Sequence, residues 1–246
     1  MRRICVIGDS HSAALKLGWE TIRAGLADLQ IDFYAAPKPH MGAFAVEDGK
    51  LVATTSALRK FLEQTSAGRS SIDGSYSLYL VCGIGAGLEA VANGVKLLMQ
   101  RAAQKKEKIS DDELKRCLIR QMRDVEACIF LEKLRGITEA PIGLIARPLR
   151  SDGGFAAMLR AKGEERRVAD LYADCFGRLV RKQSRARFLP QPAETLGDGP
   201  LSTAAHFFRR PARIAVQGAD DDGSHANGEY GAIVLRSALD RMDAPA

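Results

Sequence analysis

Five short apolar runs decide what this chain can fold into. Residues 3–7, 31–36, 77–82, 141–146 and 187–189 are rich in aliphatic or aromatic side chains, and each is stopped by glycine, proline or a polar turn. Such runs, with β-branched residues among them, read as buried strands. Helical patterns lie between them. One runs from Ser12 through Leu15, Leu17, Trp19 and Ile22, a second covers 56–64, and a third covers 88–100. A capping box at Ser110 opens what reads as one long helix, with Leu114, Leu118, Met122, Val125 and Ile129 on a single stripe. Residues 156–183 and 229–242 also read as helical. Strand–helix alternation of this kind predicts an α/β sandwich around a five-stranded, mostly parallel sheet. All five strand ends then reach one edge, where open α/β sheets bind ligands.

Residues 44–46 and 51–54 flank Glu47-Asp48-Gly49-Lys50, a hairpin signal. A small hairpin insertion near 44–55 is therefore expected within a single domain spanning 1–246, with 66–75 as a polar connection. The chain has 246 residues, 46% of them hydrophobic and 27% charged, enough for one large core. A net charge of +6 favours anionic partners but is too mild to argue for nucleic acid. The five cysteines are scattered, with no paired spacing and no Cys/His metal pattern. No metal and no organic cofactor are expected, and the unpaired cysteines fit a reducing compartment. No window approaches the roughly 18 apolar residues of a membrane span, and the first apolar run is too short for a signal peptide. The expectation is a cytoplasmic protein with no membrane partner.

The chemistry concentrates at the two ends. Gly8-Asp9-Ser10-His11 breaks the first strand just before the first helix. Ser10 thus sits at a strand end and near a helix N-terminus, where negative charge is favoured. Asp9 and Ser10 are also good helix caps, so the tripeptide alone leaves capping and nucleophile open. The stretch Asp222-Gly223-Ser224-His225 supplies an acid and a base to match the serine. Acyl transfer needs an activated hydroxyl, an imidazole to take its proton, and a group to orient the imidazole. Ser10, His225 and Asp222 fill those places, with Asp220 and Asp221 as less well spaced orienters. Ser10, Gly42, Gly83 and Gly85 are candidates for the oxyanion and substrate-binding positions, the glycines as backbone donors. The run Gly83-Ile84-Gly85-Ala86-Gly87 also resembles a phosphate loop, but it lacks the Lys-Ser/Thr of one. Of the other histidines, His11 is expected to line the pocket or pack under it, and His40 to lie at the surface near Gly42. His206 is expected to be a partly buried neighbour of Phe207. Arg209, Arg210 and Arg213 add local positive charge to a long irregular region, 193–218.

These motifs resemble the SGNH hydrolases, also called the GDSL-like family. Gly8-Asp9-Ser10 matches the family's first block, and Asp222-Gly223-Ser224-His225 its last, D-x-x-H. The resemblance implies a three-layer, flavodoxin-like sandwich with strand order 2-1-3-4-5. It also implies a serine esterase working through an acyl-serine, with Ser10 as nucleophile and Asp222 and His225 completing a triad. The GDSH form is similar to domains linked to polysaccharide O-acetylation. That implies a small-molecule or glycan ester substrate, an O-acetyl or short acyl group, and release of the acyl group to water or a sugar hydroxyl. The third block departs from the family. Its G-x-N-D is here Gly83-Ile84-Gly85-Ala86, with Gly85 where the asparagine donor belongs. Losing one such donor typically costs ~10²–10³ in rate. Either a residue such as Asn93 replaces it, or the chain is a catalytically weak or inactive relative that binds a glycan or protein partner. A phosphate-binding protein built on 83–87 is a further alternative.

Overall fold

The computed structural model describes residues 1–149, 154–208 and 225–244. The first apolar run becomes β1 (Arg2–Gly8), and α1 (Ser12–Ile22) follows. β2 (Leu29–Ala35) leads into the hairpin of β3 (Phe44–Glu47) and β4 (Lys50–Ala53), then α2 (Ser56–Thr65). β5 (Ser71–Asp73) joins that hairpin as a third antiparallel strand. Next come β6 (Leu78–Cys82), α3 (Glu89–Lys105), α4 (Asp111–Met122) and α5 (Glu126–Arg135). The chain continues through β7 (Ile142–Ile145), α6 (Gly154–Ala161), α7 (Glu165–Ser184), β8 (Arg187–Leu189) and α8 (Gly228–Asp243).

The main sheet runs β2-β1-β6-β7-β8, with every adjacent pair parallel. Counted among the main-sheet strands this is the order 2-1-3-4-5, so the architecture is the expected α/β sandwich. Alternate residues of the central strands serve opposite faces, as strand geometry requires. Ile4, Val6, Leu78 and Leu80 pack against α1 and α8. Cys5, Ile7, Tyr79 and Val81 pack in a second core with α2 to α7 and the small sheet. Both faces being covered explains why the strands read as continuous apolar runs.

Three local expectations change. The polar connection 66–75 contains β5, whose one buried side chain, Ile72, is too short a signal to show periodicity. The long helix after Ser110 breaks at Val125, which is extended (φ −69°, ψ 146°). Leu114, Leu118 and Met122 are buried as expected, but Ile129 is exposed. The new helix turns Ala127, Phe130, Leu131 and Leu134 inward instead. The helical stretch 156–183 is likewise split, at Gly163 (φ +71°). The small sheet is tied to the large one through Asp32 of β2. Its Oδ2 accepts from Tyr76 Oη (2.8 Å) and pairs with Arg69 (2.5 Å) and Arg3 (3.2 Å). Burial pushes this carboxyl's pKa up, but the hydrogen bonds from Tyr76, Arg69, Arg3 and Gln30 outweigh burial and hold it below its usual value.

α1 and α8 form the most closely packed helix pair among the described residues. Glycines make this possible. A Cβ on Gly18 would fall 2.2 Å from the Ala232 nitrogen, and one on Gly231 would fall 1.8 Å from the Ala14 carbonyl oxygen. The two backbones touch, which any larger residue forbids. Helix propensity alone would make Gly231→Ala stabilising by about 1 kcal/mol. The contact reverses that sign. Gly231→Ala is expected to lower stability in urea unfolding by ~3 kcal/mol or more, because backbone cannot yield as a flexible side chain can. Gly25→Ala, which meets nothing within 4 Å, should change it by less than ~0.5 kcal/mol.

Candidate active site

Ser10 is exposed in the turn between β1 and α1, while its neighbours Asp9 and His11 are 2% and 4% exposed. Asp9 does not act as a helix cap. The N-cap of α1 is His11, with no side-chain cap bond. Instead the Asp9 carboxylate joins two turns. Its Oδ1 accepts from the His11 N–H (3.0 Å), and its Oδ2 from the Ile84 N–H (3.0 Å), which belongs to the turn after β6. Both donors are buried. The two strand ends nearest the site are thereby locked together.

The turn after β6 is built around that carboxylate. Gly83 (φ +79°), Ile84 (φ +50°) and Gly85 (φ +73°) are all left-handed. A β-branched residue there is strained by ~1–3 kcal/mol. Ile84 offsets this with a fully buried side chain and its bond to Asp9. A Cβ on Gly83 would sit 2.1 Å from Asp9 Oδ1, so glycine is required there for space as well as for φ. Of the glycines that resembled a phosphate loop, Gly83 thus packs against an internal carboxylate, while Gly85 and Gly87 face Glu126 and Glu89 instead.

His225 enters from the far end of the chain. The segment after it is pinned: Ala226 pairs with Phe208 in an isolated antiparallel bridge. The Asn227 N–H donates to the Phe207 carbonyl (2.7 Å), and Asn227 Nδ2 to the His206 carbonyl (2.9 Å). Asn227 Oδ1 accepts from the Tyr230 N–H and caps α8. With α8 held against α1, His225 Nε2 lies 2.9 Å from Ser10 Oγ. The His11 ring stacks on that of His225, with centroids 5.3 Å apart and an interplanar angle of 28°.

Asp222 lies outside the described residues, as do Asp220, Asp221, Arg209, Arg210 and Arg213. Gly83 is brought beside Asp9. Gly42 is exposed, and its carbonyl accepts from Lys133 Nζ (3.4 Å). A Cβ on Gly85 would face Glu126 Oε2 at 3.5 Å and Lys38 at 3.9 Å. Asn93 is on the exposed side of α3. His40 is half-buried, its ring 5.2 Å from that of Phe61. His206, expected to be partly buried, is exposed, although its ring lies 4.0 Å from that of Phe207. A cavity of about 320 Å3 opens at Ser10, with Ala13, Ala36 and Phe61 in its wall. Sequence reading missed this cavity and the bridging role of Asp9, since both join segments remote in the chain. Among the described residues no group of three or more His, Cys, Asp or Glu is placed to hold a metal ion, and no helix is long and apolar enough to cross a membrane.

No family model and no curated protein matches the sequence. Among solved structures, the chain is similar to the lipase Lip_vut3 from a goat rumen metagenome, at 10% identity and TM-score 0.44, over 97% of each chain. It is similar to a carbohydrate acetylesterase family member from Sinorhizobium meliloti, at 10% identity and TM-score 0.40, over 98% of this chain and 99% of that one. A carbohydrate esterase family 2 enzyme with a carbohydrate binding domain, from Corynascus thermopiles (Myceliophthora fergusii), gives 12% identity and TM-score 0.39, over 98% of this chain and 65% of that one. All three TM-scores are below 0.5.

Removing the Asp9 carboxylate leaves two buried N–H groups without their acceptor, at ~1–3 kcal/mol each. Asp9→Ala is expected to lower stability in urea unfolding by about 3 kcal/mol. Asp9→Asn keeps one acceptor oxygen and should lose less. Equal losses from both variants would remove the bridging role assigned to this side chain.

Proposed function

We propose that the chain is a serine ester hydrolase that works through an acyl-serine at Ser10. The observation that carries this reading is the 2.9 Å approach of His225 Nε2 to Ser10 Oγ, between residues at opposite ends of the chain. That is hydrogen-bond reach for a nucleophile and its general base. With Nε2 unprotonated, the hydroxyl donates to it. As Oγ attacks the ester carbonyl, its proton passes to Nε2. The tetrahedral intermediate collapses, the C–O bond to the alcohol breaks, and the departing oxygen takes the proton from His225. Water, deprotonated by the same imidazole, then attacks the acyl-serine and frees the acid, and the proton returns to Ser10.

The D-x-x-H spacing makes Asp222 the proposed orienter of His225. The exposed turn of Ser10 near the N-terminus of α1 favours negative charge at the reacting carbonyl. A second reading, a binding protein that has lost hydrolysis, draws on Gly85 standing where the resembled family has its asparagine donor.

Wild type is expected to be labelled by a fluorophosphonate probe and to turn over p-nitrophenyl esters. Ser10→Ala and His225→Ala should abolish labelling and lower turnover by at least ~10³. Labelling that persists in Ser10→Ala would move the nucleophile elsewhere, and a wild type that neither labels nor turns over esters would favour the binding protein.

A further inference from the structure

We infer that the acyl group of the substrate is an apolar chain longer than acetyl, lodged in the cavity between α1, β2 and α2. This rests on the esterase reading of Ser10. The carbon attacked by Ser10 Oγ carries an oxyanion, a departing alcohol and the acyl chain. The alcohol must face His225, which protonates it. The remaining direction, for the acyl chain, is away from His225.

The structure offers a cavity in that direction. α1 turns Ala14, Leu15 and Gly18 toward α8, on the His225 side. Ser10 itself and, on the opposite side of the same helix, Ala13 and Lys16 line the cavity. Phe33, Ala35, Ala36, Pro37 and Phe61 complete the apolar wall. Lys16 and Lys38 are exposed at its rim, where their stems extend the wall and their ammonium groups stay in water.

Size decides between acyl groups. The cavity holds about 320 Å3. That is many times the space one water needs, whereas an acetyl methyl would fill roughly the space of one. An acetyl ester would leave most of this apolar surface wet. Each methylene of a longer chain that is buried there improves binding by about fourfold.

The test compares kcat/KM for p-nitrophenyl acetate and p-nitrophenyl hexanoate. Wild type is expected to favour hexanoate at least tenfold. Ala13→Phe, which fills the cavity from the face of α1 turned away from α8, should lower the hexanoate-to-acetate ratio at least tenfold. Ala13→Leu, a smaller filler and a good helix former, should lower it in the same direction. A wild-type preference for acetate, or a ratio that moves less than twofold in a folded Ala13 variant, would overturn the inference. Either result can occur with wild type labelled by fluorophosphonate at Ser10, so it is distinct from failure of the esterase reading, in which wild type is not labelled or labelling persists in Ser10→Ala.

Discussion

The contact between the backbones of α1 and α8 is the constraint on which the site depends. Ser10 and His225 each stand just ahead of one of these helices, and neither is close to the other in sequence. Gly18 and Gly231 let the helices approach until Cβ atoms would have no room. A methylene inserted at that crossing would be passed along two stiff helices to the side chains at their starts. In the proposed mechanism a nucleophile and its base would tolerate little of that, since misplacement by about 1 Å can cost ~10² in rate.

Asp9 performs the matching task across the sheet. It draws the turn after β6 toward the turn after β1 and holds Ile84 in a strained left-handed conformation. Strain of this kind persists only where the surroundings over-determine it. Here the surroundings are a buried isoleucine side chain and a carboxylate packed against Gly83. Within these two turns, residues 8–12 and 83–87, Ser10 is the one exposed residue.

Much of the fold was legible in the sequence because strands covered on both faces read as unbroken apolar runs. Ile4 to Ile7 and Leu78 to Cys82 could hardly be anything else. Short or compensated signals were not legible. One buried isoleucine, Ile72, cannot announce a strand. Val125 keeps the helical spacing of Leu118 and Met122 yet takes an extended conformation, so periodicity alone ran the helix on to Ile129. At the site, Ser10 and His225 were readable as residue types with a purpose. Asp9 was not, because its two acceptor bonds reach Ile84 in a remote turn as well as its close neighbour His11, and local sequence suggested only a cap. Gly18 and Gly231 carried no signal at all, since a helical glycine declares its role only when its neighbour is seen.

The central claim is that Ser10 and His225 act as one unit, and a double-mutant cycle on ester turnover measures this most directly. The account predicts that Ser10→Ala combined with His225→Ala loses no more activity than the worse single variant, within about twofold, because either change already disables the pair. Losses that multiply in the double variant would mean that the two side chains act independently, and the proposed mechanism would be contradicted.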